Sequence, residues 1–101
     1  MSINSGSLPF TRSLVAAAPD VAGVFALWES GGVVYYGSAA AIRGALEGQL
    51  QARAASGRSV SGCSWEVSPE PGRRHRELLR EYAAAHRALP LWNDPQRLPT
   101  D

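Results

Sequence analysis

Hydrophobic and polar positions recur with different periods along the chain, and each change of period marks an element. Gly23-Val24-Phe25-Ala26-Leu27-Trp28 is a continuous apolar run, the pattern of a strand buried on both faces. Ser30-Gly31-Gly32 supplies a tight-turn signal, and Val33-Val34-Tyr35-Tyr36 resumes β-favouring residues at once. Gly23–Trp28 and Val33–Gly37 are therefore expected to pair as an antiparallel hairpin. From Ala40 the period becomes helical: Ile42, Leu46, Leu50 and Ala54 fall on one face, predicting a helix over Ala40–Ala55 that ends at Ser56-Gly57-Arg58-Ser59. Cys63, Trp65 and Val67 alternate with Ser64, Glu66 and Ser68, which predicts a third strand with one polar face.

Ser68-Pro69-Glu70 reads as the next helix start, with Ser68 as N-cap and Pro69 in the first helical position. Leu78 or Leu79, Tyr82, Ala85 or His86, and Leu89 form its apolar face, and Pro90 closes it. Residues 1–21 read as a lead-in with a short helical turn over Thr11–Ala18, and residues 94–101 as an irregular tail. The order is β-β-α-β-α, an α+β domain with a small three-stranded sheet flanked by helices.

A chain of 101 residues makes one domain and one core. With 45% hydrophobic and 19% charged residues it is globular in composition, which excludes wholesale disorder. Net charge is only +1, from 10 basic and 9 acidic side chains, which excludes a strongly basic coat for nucleic acid but not a local basic patch. All ten basic residues are Arg, which reads first as genome composition, because Ala is also frequent, and second as phosphate recognition. Cys63 is the single cysteine, so an intrachain disulfide and a Cys-based zinc site are excluded; it is expected in the core. MSINSGSLPF lacks a basic n-region and a long apolar run, and no segment approaches the roughly 20 residues that span a bilayer. A small soluble cytoplasmic protein is expected.

Gly23-Val24-Phe25, followed after nine residues by Tyr35-Tyr36-Gly37-Ser38-Ala39, resembles the two-part signature of the GIY-YIG nuclease superfamily. The signature lies on the first two strands of a β-β-α-β-α core, where the predicted hairpin falls. Ile42-Arg43 at the start of a helix, Arg76-Glu77-Leu78-Leu79 in a later helix, and Leu91-Trp92-Asn93 after a proline extend the resemblance over about Ala22 to Asn93. It is closest to small free-standing bacterial members and places a GIY-YIG-like domain at residues 22–93.

The resemblance implies metal-dependent hydrolysis of a DNA phosphodiester, with Mg2+ or Mn2+ as the cofactor if the chain is active. Tyr35 matches the tyrosine of the second motif, Arg43 the first arginine of the helix, Glu77 the metal-holding glutamate and Asn93 the late asparagine. Glu81 is the alternative metal carboxylate, because the spacing from glutamate to asparagine varies in the family. A cation and a guanidinium suit this chemistry, since the phosphoryl transition state spreads negative charge over its oxygens. Two positions depart from the pattern: Phe25 stands where the first motif has tyrosine, and Ala45 where the helix has its catalytic arginine. Each loss removes a group typically worth about 10²–10³ in rate. The resemblance thus implies a nuclease-like, nucleic-acid-binding domain with impaired or absent hydrolysis. On sequence alone, Phe25→Tyr with Ala45→Arg should restore part of the activity, and Tyr35, Glu77 and Asn93 should share one concave surface.

Each of these residues also has a plainer reading. Tyr35 and Tyr36 fit ordinary strand packing, and Glu77 fits a solvated helix position paired with Arg73 or Arg80. Asn93 either shapes the site or caps the turn before Asp94-Pro95. Arg73, Arg74 and Arg76 either grip phosphates or form a solvated face balanced by Glu70, Glu77 and Glu81. Trp28 and Trp65 are expected in the core, and His75 and His86 lack a metal-ligand pattern. Ala41, Gly44, Ala45 and Gly48 make a smooth strip on the first long helix, suited to tight packing or to a protein partner or second copy. That strip motivates the alternative function, a non-catalytic protein-interaction module on the same fold.

Overall fold

The computed structural model describes residues 3, 7–29, 32–56, 60–87, 90 and 93, without the side chains of 53–56. Ser30, Gly31, Leu89, Leu91, Trp92 and the tail 94–101 lie outside the described residues, as does the side chain of Ala54. The elements are β1 (Leu8–Pro9), α1 (Arg12–Ala16), β2 (Gly23–Glu29), β3 (Gly32–Ala39), α2 (Ile42–Ser56), β4 (Gly62–Val67) and α3 (Pro71–His86).

The hairpin expected from the apolar runs is present: β2 and β3 pair antiparallel, with Phe25 opposite Gly37 and Leu27 opposite Tyr35. Pairing then moves to Trp28 opposite Val33, so Val34 is an extra residue in a bulge. β4 pairs antiparallel with the other side of β2, which makes β2 central and explains why it is apolar on both faces. Among the described residues the sheet has four strands rather than three, in the order β1-β4-β2-β3, because the two-residue β1 adds to β4 with Leu8 opposite Cys63. A strand that short has no period for a sequence to display.

Alternation along β2 divides the core into two layers. Phe25 and Leu27 pack with Val15 and Ala18 around α1 and with Ile42 and Leu46 of α2. Val24 and Ala26 pack on the opposite face with Tyr36, Ile3 and Leu78 of α3. The loop before β2 also starts α2. Ile42 N–H donates to Val21 O at 2.9 Å and Arg43 N–H to Pro19 O at 3.1 Å, which satisfies two of the helix's unpaired amides.

Two local expectations change. The helix α3 begins one proline later, with Glu70 at the N-cap and Pro71 at its start; Ser68 instead accepts from Glu70 N–H at 3.2 Å in a local turn. The polar face of β4 is covered rather than solvated. Ser64 is fully buried, accepting from Trp28 Nε1–H at 2.9 Å and donating to Ile3 O at 2.6 Å, whereas Val67 is exposed at the strand end. A satisfied hydroxyl can be buried at little cost, and here it also fixes the Trp28 indole.

Cys63 is fully buried as expected, and burial pushes its thiol up from 9.0 to about 11. The folded protein is therefore expected to resist thiol reagents at pH 8 and to react fully once unfolded in urea. The folded state keeps this proton up to about pH 11 while the unfolded chain releases it near 9.0. Stability contributed by Cys63 is thus lost as pH rises through that window. Urea midpoints at pH 8 and pH 10 measure the loss, and in Cys63→Ala it should shrink.

Candidate functional site

The two motif strands place Phe25 and Tyr35 side by side on the α1–α2 face, with ring centroids 5.9 Å apart. Phe25 is buried in the core and Tyr35 half-buried against it. Gly37 is required beneath them: a Cβ there would run into Cζ of Phe25 and come within 2.9 Å of the Tyr35 ring. Ala45 packs half-buried against the same cluster. The two positions that depart from the motif therefore lie on the same face as Tyr35.

Arg43 is half-buried and taken up by the backbone. Its Nε–H donates to Ala18 O at 2.8 Å, tying the start of α2 to the end of the α1 segment. On the exposed side of α2, Gly44 and Gly48 have open space above them, while Ala45 packs inward and Ala41, just before the helix, is half-buried.

Glu77 sits on α3, the helix that packs on the other face of the sheet. Its carboxylate accepts from Arg74 Nη1 at 3.3 Å and lies 3.7 Å from Arg73 Nε. The Arg73 pairing was legible from i,i+4 spacing; the Arg74 arrangement was not. Arg74 forms a fork onto Glu66 of β4, with Nε–H to Oε2 at 2.6 Å and Nη2–H to Oε1 at 3.3 Å. Its Nη1 also lies 3.7 Å from Glu81. The hydrogen bond to Glu66 is the main cause that raises the Arg74 pKa above its ordinary value, against some desolvation. Arg73 is mostly exposed and also lies 3.6 Å from Glu70. Arg76 and Arg80 are exposed and make no ion pair among the described residues.

Asn93 meets the edge of the sheet. Its Oδ1 accepts from Tyr36 N–H at 2.8 Å and its Nδ2–H donates to Tyr36 O at 2.9 Å, so the side-chain amide pairs with β3 as a further strand would. The same carbonyl takes Nε2–H of His75 at 3.0 Å. His75, set aside in the sequence for want of a metal pattern, thus anchors α3 to β3. Tyr36 itself turns its ring toward α3, edge-on to Tyr82 at 6.2 Å. Beside it, a cavity of about 430 Å³ is walled by Trp28, Val33, Tyr36, Tyr82 and His86, with Glu81 also on its lining and Glu77 absent from it.

A divalent cation does not fit the carboxylates as they stand. Glu77 already faces two guanidinium groups, and the described residues contain no group of three or more His, Cys, Asp or Glu that could hold a metal. No helix among the described residues is long and apolar enough to cross a membrane.

No family model matches the sequence, and no curated protein does. Among solved structures, the chain is similar to a point mutant of the GIY-YIG N-terminal endonuclease domain of UvrC from Thermotoga maritima, a domain bound to its catalytic divalent cation. The likeness covers 75% of this chain and 88% of that one, with a TM-score of 0.56 at 20% sequence identity. The β2–β3 hairpin and β4, with α2 on one face of the sheet and α3 on the other, thus constitute the GIY-YIG fold, as the motif resemblance implied.

Proposed function

We propose that this chain is a nucleic-acid-binding domain on an endonuclease fold, working in the cytoplasm, whose metal-dependent phosphodiester hydrolysis is impaired or absent. One observation carries the reading: the charged and amide groups that the resemblance assigns to chemistry have internal partners. Arg43 holds Ala18 O, Glu77 faces Arg73 and Arg74, and Asn93 holds the Tyr36 backbone. Phe25 and Ala45 bring no replacement. A scaffold kept under these losses retains its surface, and α3 presents Arg76 and Arg80 to solvent one turn apart. Phosphate contacts from such arginines bind without sequence preference and weaken steeply with salt. Of the three arginines first considered, Arg74 is the least free for this role and Arg76 the most.

The test is DNA binding at low salt by fluorescence anisotropy. Arg76→Glu with Arg80→Glu should weaken binding at least about tenfold and reduce the salt slope by about two. Unchanged affinity in this variant would remove the proposed interface. The second reading, a protein-interaction module using the strip expected from Ala41, Gly44, Ala45 and Gly48, rests on the open space over Gly44 and Gly48 alone, since Ala45 packs against the core. Failure to bind DNA, together with concentration-dependent sedimentation, would select it.

A further inference from the structure

We infer that Arg74 is the resident cation of the Glu66, Glu77 and Glu81 cluster, and that its guanidinium makes this chain independent of the divalent metal its fold implies. The inference rests on the proposed reading that Glu77 or Glu81 stands at the family's metal position. Three carboxylates from two elements turn toward one side chain: Glu66 from β4 at 2.6 Å, and Glu77 and Glu81, one helical turn apart on α3, at 3.3 and 3.7 Å. Spread around the guanidinium, the three form no group that could hold a metal as they stand; drawn together once it is removed, oxygen ligands of this kind would suit a hard divalent cation. A guanidinium satisfies them instead with a fixed fork of N–H donors and keeps its charge at any working pH. Glu66 and Arg74 are both about three-quarters buried, with side chains 24% and 25% exposed, so this pair is the least solvated part of the cluster. Arg74 thus does by geometry what a bound ion would do by affinity: it gathers the carboxylates and neutralises them.

The experiment is a Mn2+ titration followed by electron paramagnetic resonance, with melting temperature recorded in EDTA and in Mn2+. Wild-type protein should show no saturable uptake up to about 10⁻³ M and the same melting temperature in both conditions. Arg74→Gln should take up about one Mn2+ with a Kd of about 10⁻⁴–10⁻³ M, the range of weak oxygen-ligand sites, and should melt higher with the metal than without it. Should Arg74→Gln fail to fold, Arg74→Gln/Glu66→Gln relieves the largely buried charge on β4, keeps Glu77 and Glu81, and carries the same test. Stoichiometric uptake by the wild type overturns the inference, and so does a folded variant with no gain. DNA binding in EDTA separates the two claims. A wild type that binds DNA and also Mn2+ loses only the resident-cation role, while one that binds neither loses only the nucleic-acid reading.

Discussion

Gly23→Ala is expected to lower the melting temperature by about 12–24 °C, whereas the same substitution at Gly44 or Gly48 should raise it. At Gly23 an added Cβ would collide with Glu66 O of β4, crowd Ile42 Cδ1 at 2.5 Å and sit 3.1 Å from Val67 Cα. Two of those three atoms are backbone of the strand paired to β2, with Gly23 opposite Val67. They cannot rotate away as a side-chain tip can. Overpacking of a tight core typically costs about 1–3 kcal/mol, and this site belongs at the upper end because the strand itself must shift. About 3 kcal/mol is a large part of the stability of a domain this size, and each kcal/mol moves its midpoint by about 4–8 °C. Gly44 and Gly48 sit in α2 with nothing within 4 Å of an added Cβ, so alanine there gains about 1 kcal/mol of helix propensity. Thermal melts by circular dichroism read both signs. A Gly23→Ala protein that melts with the wild type would contradict the close approach of β2 and β4. A Gly44→Ala protein that loses a dimer would give the small-residue strip a role.

The contrast shows what a sequence displays and what it hides. The hairpin and α2 were readable because burial there follows one period: Ile42, Leu46 and Leu50 face the core at helical spacing, and β2 is apolar throughout because it is central. Ser64 broke the same rule for β4. Its hydroxyl finds partners in Trp28 and Ile3, 36 and 61 positions away, so no local pattern announces its burial. Pro71 rather than Pro69 opens α3, and two prolines in one short stretch gave the sequence no means of choosing. The candidate site was legible as a set of positions, not as a set of contacts. Glu77 with Arg73 followed from helical spacing, but Arg74 with Glu66 joins a helix to a strand, and the asparagine's hold on Tyr36 spans 57 positions. Of the residues expected to share one concavity, Tyr35 packs on the α2 side, Glu77 belongs to the helix on the other side, and Asn93 meets the sheet edge between them.

That placement changes the expected result of repairing the motif. Wild-type protein should nick supercoiled DNA in Mg2+ at least about 10⁴-fold more slowly than an active endonuclease of the same fold assayed in parallel. A lost guanidinium accounts for about 10²–10³ and a lost proton-transfer group for about 10²–10⁴, and the two do not simply add. Phe25→Tyr with Ala45→Arg restores both groups in name, and from sequence alone a partial gain was expected. The structure gives reasons for none. Phe25 is only 3% exposed, so the new hydroxyl enters the core and needs a partner there. Ala45 packs half-buried on the same cluster, so an arginine must displace apolar contacts before it reaches solvent or a phosphate. Neither change frees Glu77 from Arg73 and Arg74. The double variant should therefore stay at the wild-type level, and its melting temperature should fall. A gain of tenfold or more that Glu77→Ala abolishes would show the opposite: a site complete but for two side chains, with its ion pairs able to open when substrate arrives. Such pairs are partly exposed and weak enough to exchange for a better partner, so the comparison between the double variant and its Glu77→Ala derivative decides whether the activity was dismantled or only interrupted.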